Sequence, residues 1–272
     1  MSDQEFRRLS SFIYELCGIN MPPSKKTMLE ARLQKRLRLL GLSSFKDYEK
    51  LLFSQDSGMK ELPLMINVVT TNKTEFFREP AHFEYLAREA LPKLIGSTRA
   101  GERAVRLWSA GCSSGEEPYT IAMVLNEFSG GNVANYSLLA TDISSAVLEK
   151  ARLGIYYEES ISPVPQILRQ KYFLKSRDRV KKLVRVVPKL RTMVDFRQLN
   201  FKSEEFRNPK TFDIIFCRNV IIYFDKQTQS SILTSLYNHL AHGGYLFLGH
   251  SETLSGFDIP LKQVASTVYR KP

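Results

Sequence analysis

The stretch Trp108–Thr120, "WSAGCSSGEEPYT", joins an apolar run to a helix-like one through small turn-forming residues. Gly111 and Gly115 would let the backbone approach a ligand closely. Two carboxylates, Glu116 and Glu117, stand at the helix start, where the positive end of the helix dipole would otherwise receive a phosphate. Acids in that place repel a pyrophosphate and suit a cation or a set of hydroxyls. Asp142 closes the apolar run "YSLLATD" and is placed to hydrogen-bond both hydroxyls of a ribose.

Singly, each feature has a plain structural explanation. Glu116 and Glu117 can satisfy the helix dipole, and Asp142 can cap the helix beginning near Ser144. Taken with the glycine loop, the three acids point to a nucleoside that lacks phosphate and carries positive charge. S-adenosylmethionine has that chemistry: ribose, adenine, sulfonium and ammonium. The G-x-S-x-G pattern also fits a hydrolase elbow, but that needs Ser113 with a histidine and an acid, and no histidine stands out. Other run ends add polar groups. Asn200 in "QLN" can read an adenine edge, "CRNVIIYF" supplies Arg218 and Asn219, and Tyr223 follows one helical turn later. The segment "TTNKTEFFRE" sets Asn72, Thr74 and Arg78 among Phe76 and Phe77. Cys17, Cys112 and Cys217 follow no metal spacing, and the four histidines show no ligand pattern, so no metal site is expected.

These residues need a scaffold. Phe6, Leu9, Ile13 and Leu16 recur at helical spacing until Gly18. Leu29, Leu33, Leu37 and Leu40 form a second stripe ended by Gly41, with Arg32, Lys35 and Arg38 pointing away from it. Helices are predicted after Ser44 and around "MKELPLMINVVT", which makes a helical domain over 1–75. From about residue 104, apolar runs ("AVRLWSA", "YSLLATDI", "TFDIIFCRN", "GGYLFLGHS") alternate with helix-like segments (117–128, 145–153, 226–240). That alternation predicts a doubly wound α/β sheet. "QVASTVYR" would add an antiparallel edge strand. The segment from Lys171 to about Leu190 reads as a small antiparallel excursion, and "MVDFRQLN" as a return to the main sheet.

The chain carries a net charge of +11, unevenly spread. Ser24–Arg38 holds six basic residues against Glu30, and Arg169–Arg191 holds ten, Arg179 among them, against Asp178. Two basic patches suit a polyanionic partner. No apolar run reaches the ~18 residues of a membrane span. The start "MSDQEFRRLS" lacks the build of a signal peptide, so the protein is expected in the cytoplasm.

"TNKTEFFRE", "WSAGCSSGEEPYTIAM", "ATDIS", "CRNVIIYFD" and "GHSE" together resemble, in order and spacing, the motifs of the CheR family of chemotaxis receptor glutamate O-methyltransferases. The resemblance implies an all-α N-terminal domain (1–75), a linker (76–90) and a Rossmann-like class I methyltransferase domain (91–272) with a small antiparallel β-subdomain at about 165–192. It implies S-adenosylmethionine as cofactor, with S-adenosylhomocysteine as product. The implied contacts are Asn72, Thr74, Arg78, Gly111, Glu117, Asp142, Asn200, Phe201, Arg218, Asn219 and Tyr223, with Arg78 and Tyr223 nearest the transferring methyl. Arg32, Lys35, Arg36 and Arg38 fall on the basic helix that engages the cytoplasmic methylation helices of receptors. Some members tether a receptor C-terminal pentapeptide through a Gly-rich turn of the β-subdomain. Here that turn reads "KSRDRVKKLVRV", without glycine, so direct receptor engagement is expected instead.

A glutamate side chain, with pKa near ~4.3, is already an anionic nucleophile at neutral pH and needs no general base. Two rivals are weighed. A nucleic-acid methyltransferase would carry an Asn/Asp-Pro-Pro-aromatic turn where this chain has Asn219-Val220-Ile221-Ile222. A non-catalytic adaptor would have no need of Arg78 and Tyr223. Neither nucleic-acid binding nor membrane insertion is expected.

Overall fold

The computed structural model describes residues 1–97, 104–130, 136–178, 180–208 and 210–272; Arg179 of the second basic patch lies outside them. Four helices come first: α1 (Asp3–Cys17), α2 (Lys26–Leu40), α3 (Phe45–Leu52) and α4 (Gln55–Val69). Ser2 and Glu5 form a reciprocal capping box at the start of α1, and Gly18 ends the helix at φ 77°. The leucine stripe of α2 closes on Leu9 and Ile13 of α1, Tyr48 of α3 and Met65 of α4, all fully buried.

The opposite face of α2 differs from its sequence expectation. Lys35 and Arg38 are exposed, whereas Arg36 turns inward. Its guanidinium forms two 2.7 Å hydrogen bonds to buried Glu61, which also accepts from the Tyr48 hydroxyl at 2.9 Å. Arg32 lies half-buried and reaches the carbonyls of Val69 and Thr70 and the hydroxyl of Thr71. Two of the four basic residues expected to face a receptor are therefore engaged within the domain. Periodicity places a residue on a face of its own helix, but cannot show that α4 brings an acid alongside.

Residues 76–90, expected as a linker, are largely helical: α5 (Ala81–Tyr85) passes through a π turn (Leu86–Ala90) into α6 (Leu91–Ser97). The remainder runs β1 (Val105–Ala110), α7 (Glu116–Phe128), β2 (Tyr136–Asp142), α8 (Ser145–Leu153), β3 (Ile155–Tyr157), α9 (Gln166–Tyr172), β4 (Phe173–Lys175), β5 (Leu183–Val186), α10 (Pro188–Arg191), β6 (Val194–Gln198), α11 (Glu204–Arg207), β7 (Phe212–Cys217), α12 (Lys226–His239), β8 (Leu240–Leu248), β9 (Lys262–Ala265) and β10 (Val268–Arg270). The main sheet has the order β6-β2-β1-β7-β8-β10-β9. Its first five strands are parallel, and β10 pairs antiparallel with β8. Every residue of β7 is buried, as expected for a strand covered on both faces. Chain order reverses between β1 and β7, which opens a crevice beyond their carboxyl ends.

The second sheet, β3-β5-β4, is antiparallel. It starts at Ile155, before the expected insert, because a three-residue strand is too short for alternation to register. Phe76 pins it to the chain entering α5, packing edge-on against Tyr156 at 4.9 Å and Phe173 at 5.4 Å. The single C-terminal edge strand expected from "QVASTVYR" is a hairpin, β9 and β10, turning at Thr267 with φ 51°. Among the described residues no helix is long and apolar enough to cross a membrane.

Candidate active site

A cavity of about 220 Å³ lies beyond the carboxyl ends of β1, β2, β6 and β7. The loop after β1 forms its floor. Gly111, at φ 85°, donates its N–H to the Thr141 carbonyl at 2.8 Å. A Cβ at Gly111 would come within 2.4 Å of Val220, so only glycine lets the β1 and β7 loops meet here. Ser113, held at φ 49°, donates its N–H to Asp142 Oδ2 at 2.9 Å, and Ser144 donates to Oδ1 at 2.9 Å. Burial pushes the Asp142 carboxyl above its ordinary pKa, and these backbone N–H groups pull the other way. A carboxylate has about four acceptor positions, more than these backbone groups use, which leaves acceptor capacity for a ligand.

The two acids at the start of α7 separate. Glu117 lines the cavity, accepting from Ser109 Oγ at 2.7 Å and from Arg218 Nη1 at 3.0 Å. Glu116 turns back onto the Ser114 hydroxyl, at 2.8 Å from its nearer oxygen, and is not part of the lining. Helical geometry explains the split, since adjacent residues diverge by about 100°.

Arg218 follows β7 with its side chain 1% exposed. Besides Glu117 it reaches Glu79 Oε2 at 3.0 Å and the carbonyl of Arg78. Burial raises the Glu79 pKa, but Arg218 and the His250 N–H outweigh it, leaving that carboxyl below its usual range. Phe77 and Glu79 both hold left-handed backbone, φ 54° and 56°, which such residues adopt rarely. The chain entering α5 is thus bent around Arg218, and Arg78 is presented at the cavity wall beside Asn72 and Thr74.

Asn219 lines the cavity at φ 58°, and its N–H donates to Glu252 at 2.7 Å. Tyr223 and Phe201 also line it, the latter packed on Phe206 at 4.8 Å. Asn200 borders the cavity, yet its side-chain amide donates to the Leu16 carbonyl at 2.7 Å and accepts from the Lys202 N–H at 3.0 Å. The amide expected to read an adenine edge also ties α1 to the β6 loop. The other named residues lie around one cavity; Arg32, Lys35, Arg36 and Arg38 do not line it.

Several contributors carry no sequence signal of their own. Lys25, Met21 and Met28 come from the helical domain and close one wall. That domain is fastened by Asn20, whose N–H donates to the Tyr223 carbonyl at 2.9 Å, and by Asn67, whose Oδ1 accepts from Ser144 Oγ at 2.8 Å. Glu252 accepts from the N–H groups of Gly249, Asn219, Val220 and Ile221 at 2.7–2.9 Å and so fixes the turn after β7. Its motif, "GHSE", was the available clue.

An open α/β sheet with a glycine turn after β1, an acid at the head of α7 and an acid at the end of β2 defines an S-adenosylmethionine-dependent methyltransferase. The residues fit that cofactor: Asp142 keeps acceptor capacity, Gly111 allows close approach, and acids stand at the head of α7 where a phosphate would otherwise dock. Residues 4–70 match the family described as "CheR methyltransferase, all-alpha domain", and residues 72–270 match "CheR methyltransferase, SAM binding domain". The chain belongs to the CheR methyltransferase family. It is 40% identical over 277 residues to the chemotaxis protein methyltransferase of Borreliella burgdorferi, covering 100% of this chain and 95% of that one. It is 45% identical over 271 residues to that of Escherichia coli, covering 99% and 91%, and 43% identical over 269 residues to that of Klebsiella aerogenes, covering 99% and 90%.

Proposed function

We propose that this protein methylates the γ-carboxylate of glutamates on the cytoplasmic helices of chemotaxis receptors, giving methyl esters. The cavity carries the reading. Acids Glu117 and Asp142 line it at the ends of the main-sheet strands, while on the rim toward α2 and α5 the cations Lys25, Lys73 and Arg78 outnumber Glu75, and no histidine lines it. A rim of that charge draws in a carboxylate, and a carboxylate needs no base to attack. S-adenosylmethionine, when bound, supplies an electrophilic methyl on a sulfonium.

The remaining roles fall to the protein. Asp142 takes the ribose hydroxyls, and Glu117 the ammonium of the amino-acid tail. Arg78 lines the cavity with its guanidinium donating to the Lys73 carbonyl at 3.1 Å, which leaves other N–H groups to orient the incoming carboxylate. Tyr223 offers one further hydrogen bond. Contact of this kind must stay weak, because a tight forked pair would quench the nucleophile. Excluding water favours a transition state in which both charges fade.

Substrate delivery follows from α2. Lys25, just before it, and Met28 in its first turn border the cavity, and exposed Lys35 and Arg38 lie about 10–15 Å beyond Met28 along the helix. An acidic receptor helix lying along them would present a glutamate at the rim. The turn before β5 carries no glycine, and on that ground engagement without a receptor-tail pentapeptide is part of the proposal. This assignment places the protein in the cytoplasm at receptor arrays.

The test is transfer of a radiolabelled methyl group to receptor cytoplasmic fragments. Base-labile label on glutamate, abolished in Arg78→Ala, is expected. Base-stable label, or label on nucleic acid instead, would refute the assignment.

A further inference from the structure

Behind Arg218, on the side away from the cavity, folding gathers Glu79, His82 and His250. One carboxylate oxygen and one ring nitrogen from each histidine all lie within 4.8 Å of one another. His82 Nδ1 is 3.4 Å from Glu79 Oε2, and His250 Nε2 is 3.8 Å from the same oxygen. Donors bonded to one zinc-sized ion at about 2.0–2.1 Å in a tetrahedron stand roughly 3.3–3.4 Å apart. The first spacing already meets that. The second needs a small movement of the exposed His250 ring.

Two further observations point to a ligand rather than to a packing cluster. His82 is 2% exposed, yet its Nδ1 has no hydrogen-bond partner. A buried ring nitrogen left so is costly. The opposite nitrogen, Nε2, lies 2.9 Å from Thr267 Oγ1. If Nε2–H donates to that hydroxyl, the Nδ1 lone pair faces Glu79 and His250, the arrangement that outer-shell partners impose on a metal-bound imidazole. The ring is also fixed in place, edge-on to Phe247 at 5.7 Å and to His250 at 5.3 Å.

We propose that Glu79, His82 and His250 form a binding site for a divalent transition-metal cation of the zinc class. Two imidazoles and a carboxylate suit zinc, cobalt or iron(II) over magnesium or calcium, which prefer all-oxygen shells. Three protein ligands leave one position for water. The bound cation shares Glu79 with Arg218, so its site touches the network that holds Glu117 at the cavity. The donor set and the unpartnered His82 Nδ1 carry this assignment, and it stands or falls apart from the methyl-transfer reading.

The experiment is calorimetric titration of Zn²⁺ into the chelator-stripped full chain, with Co²⁺ as an optical probe. One equivalent of Zn²⁺ should bind, and Co²⁺ should give visible bands that Zn²⁺ bleaches. His250→Ala, an exposed change expected to leave the thermal unfolding midpoint unchanged, should weaken binding at least tenfold. Thr267→Val should weaken it less, and His242→Ala should leave it unchanged. Absence of one-equivalent binding, absence of Co²⁺ bands, or equal affinity in wild type and His250→Ala would each overturn the proposal.

Discussion

Arg218 Nη1 lies 3.0 Å from Glu117 Oε2, joining the end of β7 to the head of α7 across the cavity floor. The same guanidinium holds Glu79 at 3.0 Å, so one cation serves two acids with side chains 13% and 11% exposed. A buried charge that loses its partner is costly, because water cannot replace it. Replacing Arg218 by Met strands both acids, and stability should fall by about 3–5 kcal/mol. Arg218→Lys should rescue little, since an ammonium lacks the fork that reaches two carboxylates. Denaturant unfolding of both variants checks this; near-wild-type midpoints would contradict it.

The cofactor wall gives a second expectation. Asp142→Ala removes the free acceptor positions assigned to ribose and also releases the Ser113 and Ser144 N–H groups. Hydrogen bonds to a charged acceptor are worth about 1.5–3 kcal/mol each, so losing both ribose contacts should lower affinity for S-adenosylhomocysteine by at least about 100-fold. Calorimetry reads this directly, and equal affinities would count against the assignment.

Helix α2 separates a structural arginine from two exposed cations. Arg36→Ala leaves Glu61, 4% exposed, without its partner and should cost about 3–5 kcal/mol of stability. Lys35→Ala and Arg38→Ala together should change stability by no more than about 0.5 kcal/mol each. That double variant should instead slow association with a receptor fragment and flatten its salt dependence. An unchanged salt slope would remove α2 from the receptor-binding account.

A pH effect follows from His82. Burial first, and then nearby Arg218, hold its pKa down to about 4 from 6.5, with Glu79 opposing and His250 adding to the depression. The unfolded chain therefore binds a proton that the metal-free folded chain refuses. His82 contributes stability in full above pH ~6.5, and the contribution is lost as pH falls toward about 4, a change of about 3 kcal/mol. Buried Asp142, Glu116 and Glu252, with raised pKa values, act in the opposite sense. The comparison is therefore of His82→Gln with wild type by denaturant unfolding at several pH values. A flatter acid limb in the variant is expected; parallel curves would contradict it.

The parts legible from sequence share a cause. Strand and helix alternation, the capping signals at Ser44 and Gly41 and the acids at Glu117 and Asp142 are local features, each set by near neighbours in the chain. The illegible parts depend on distant segments. Arg36 looks like a surface residue until α4 brings Glu61 beside it. Asn200 shows no sign in sequence that α1 will end against it and accept its amide N–H. Glu116 and Glu117 look equivalent until the helix turns them apart, and the Glu79–His82–His250 group exists only after α5 meets the end of β8.

The central claim is that two acids, and no phosphate cradle, hold a positively charged nucleoside at the carboxyl ends of the main-sheet strands. A crystal structure of the complex with S-adenosylhomocysteine tests it most directly. The ribose hydroxyls should lie within hydrogen-bond distance of Asp142 and the amino-acid ammonium beside Glu117, with Arg78 and Tyr223 around the sulfur. Density for the nucleoside in any other place, or both carboxylates turned from it, would contradict the account.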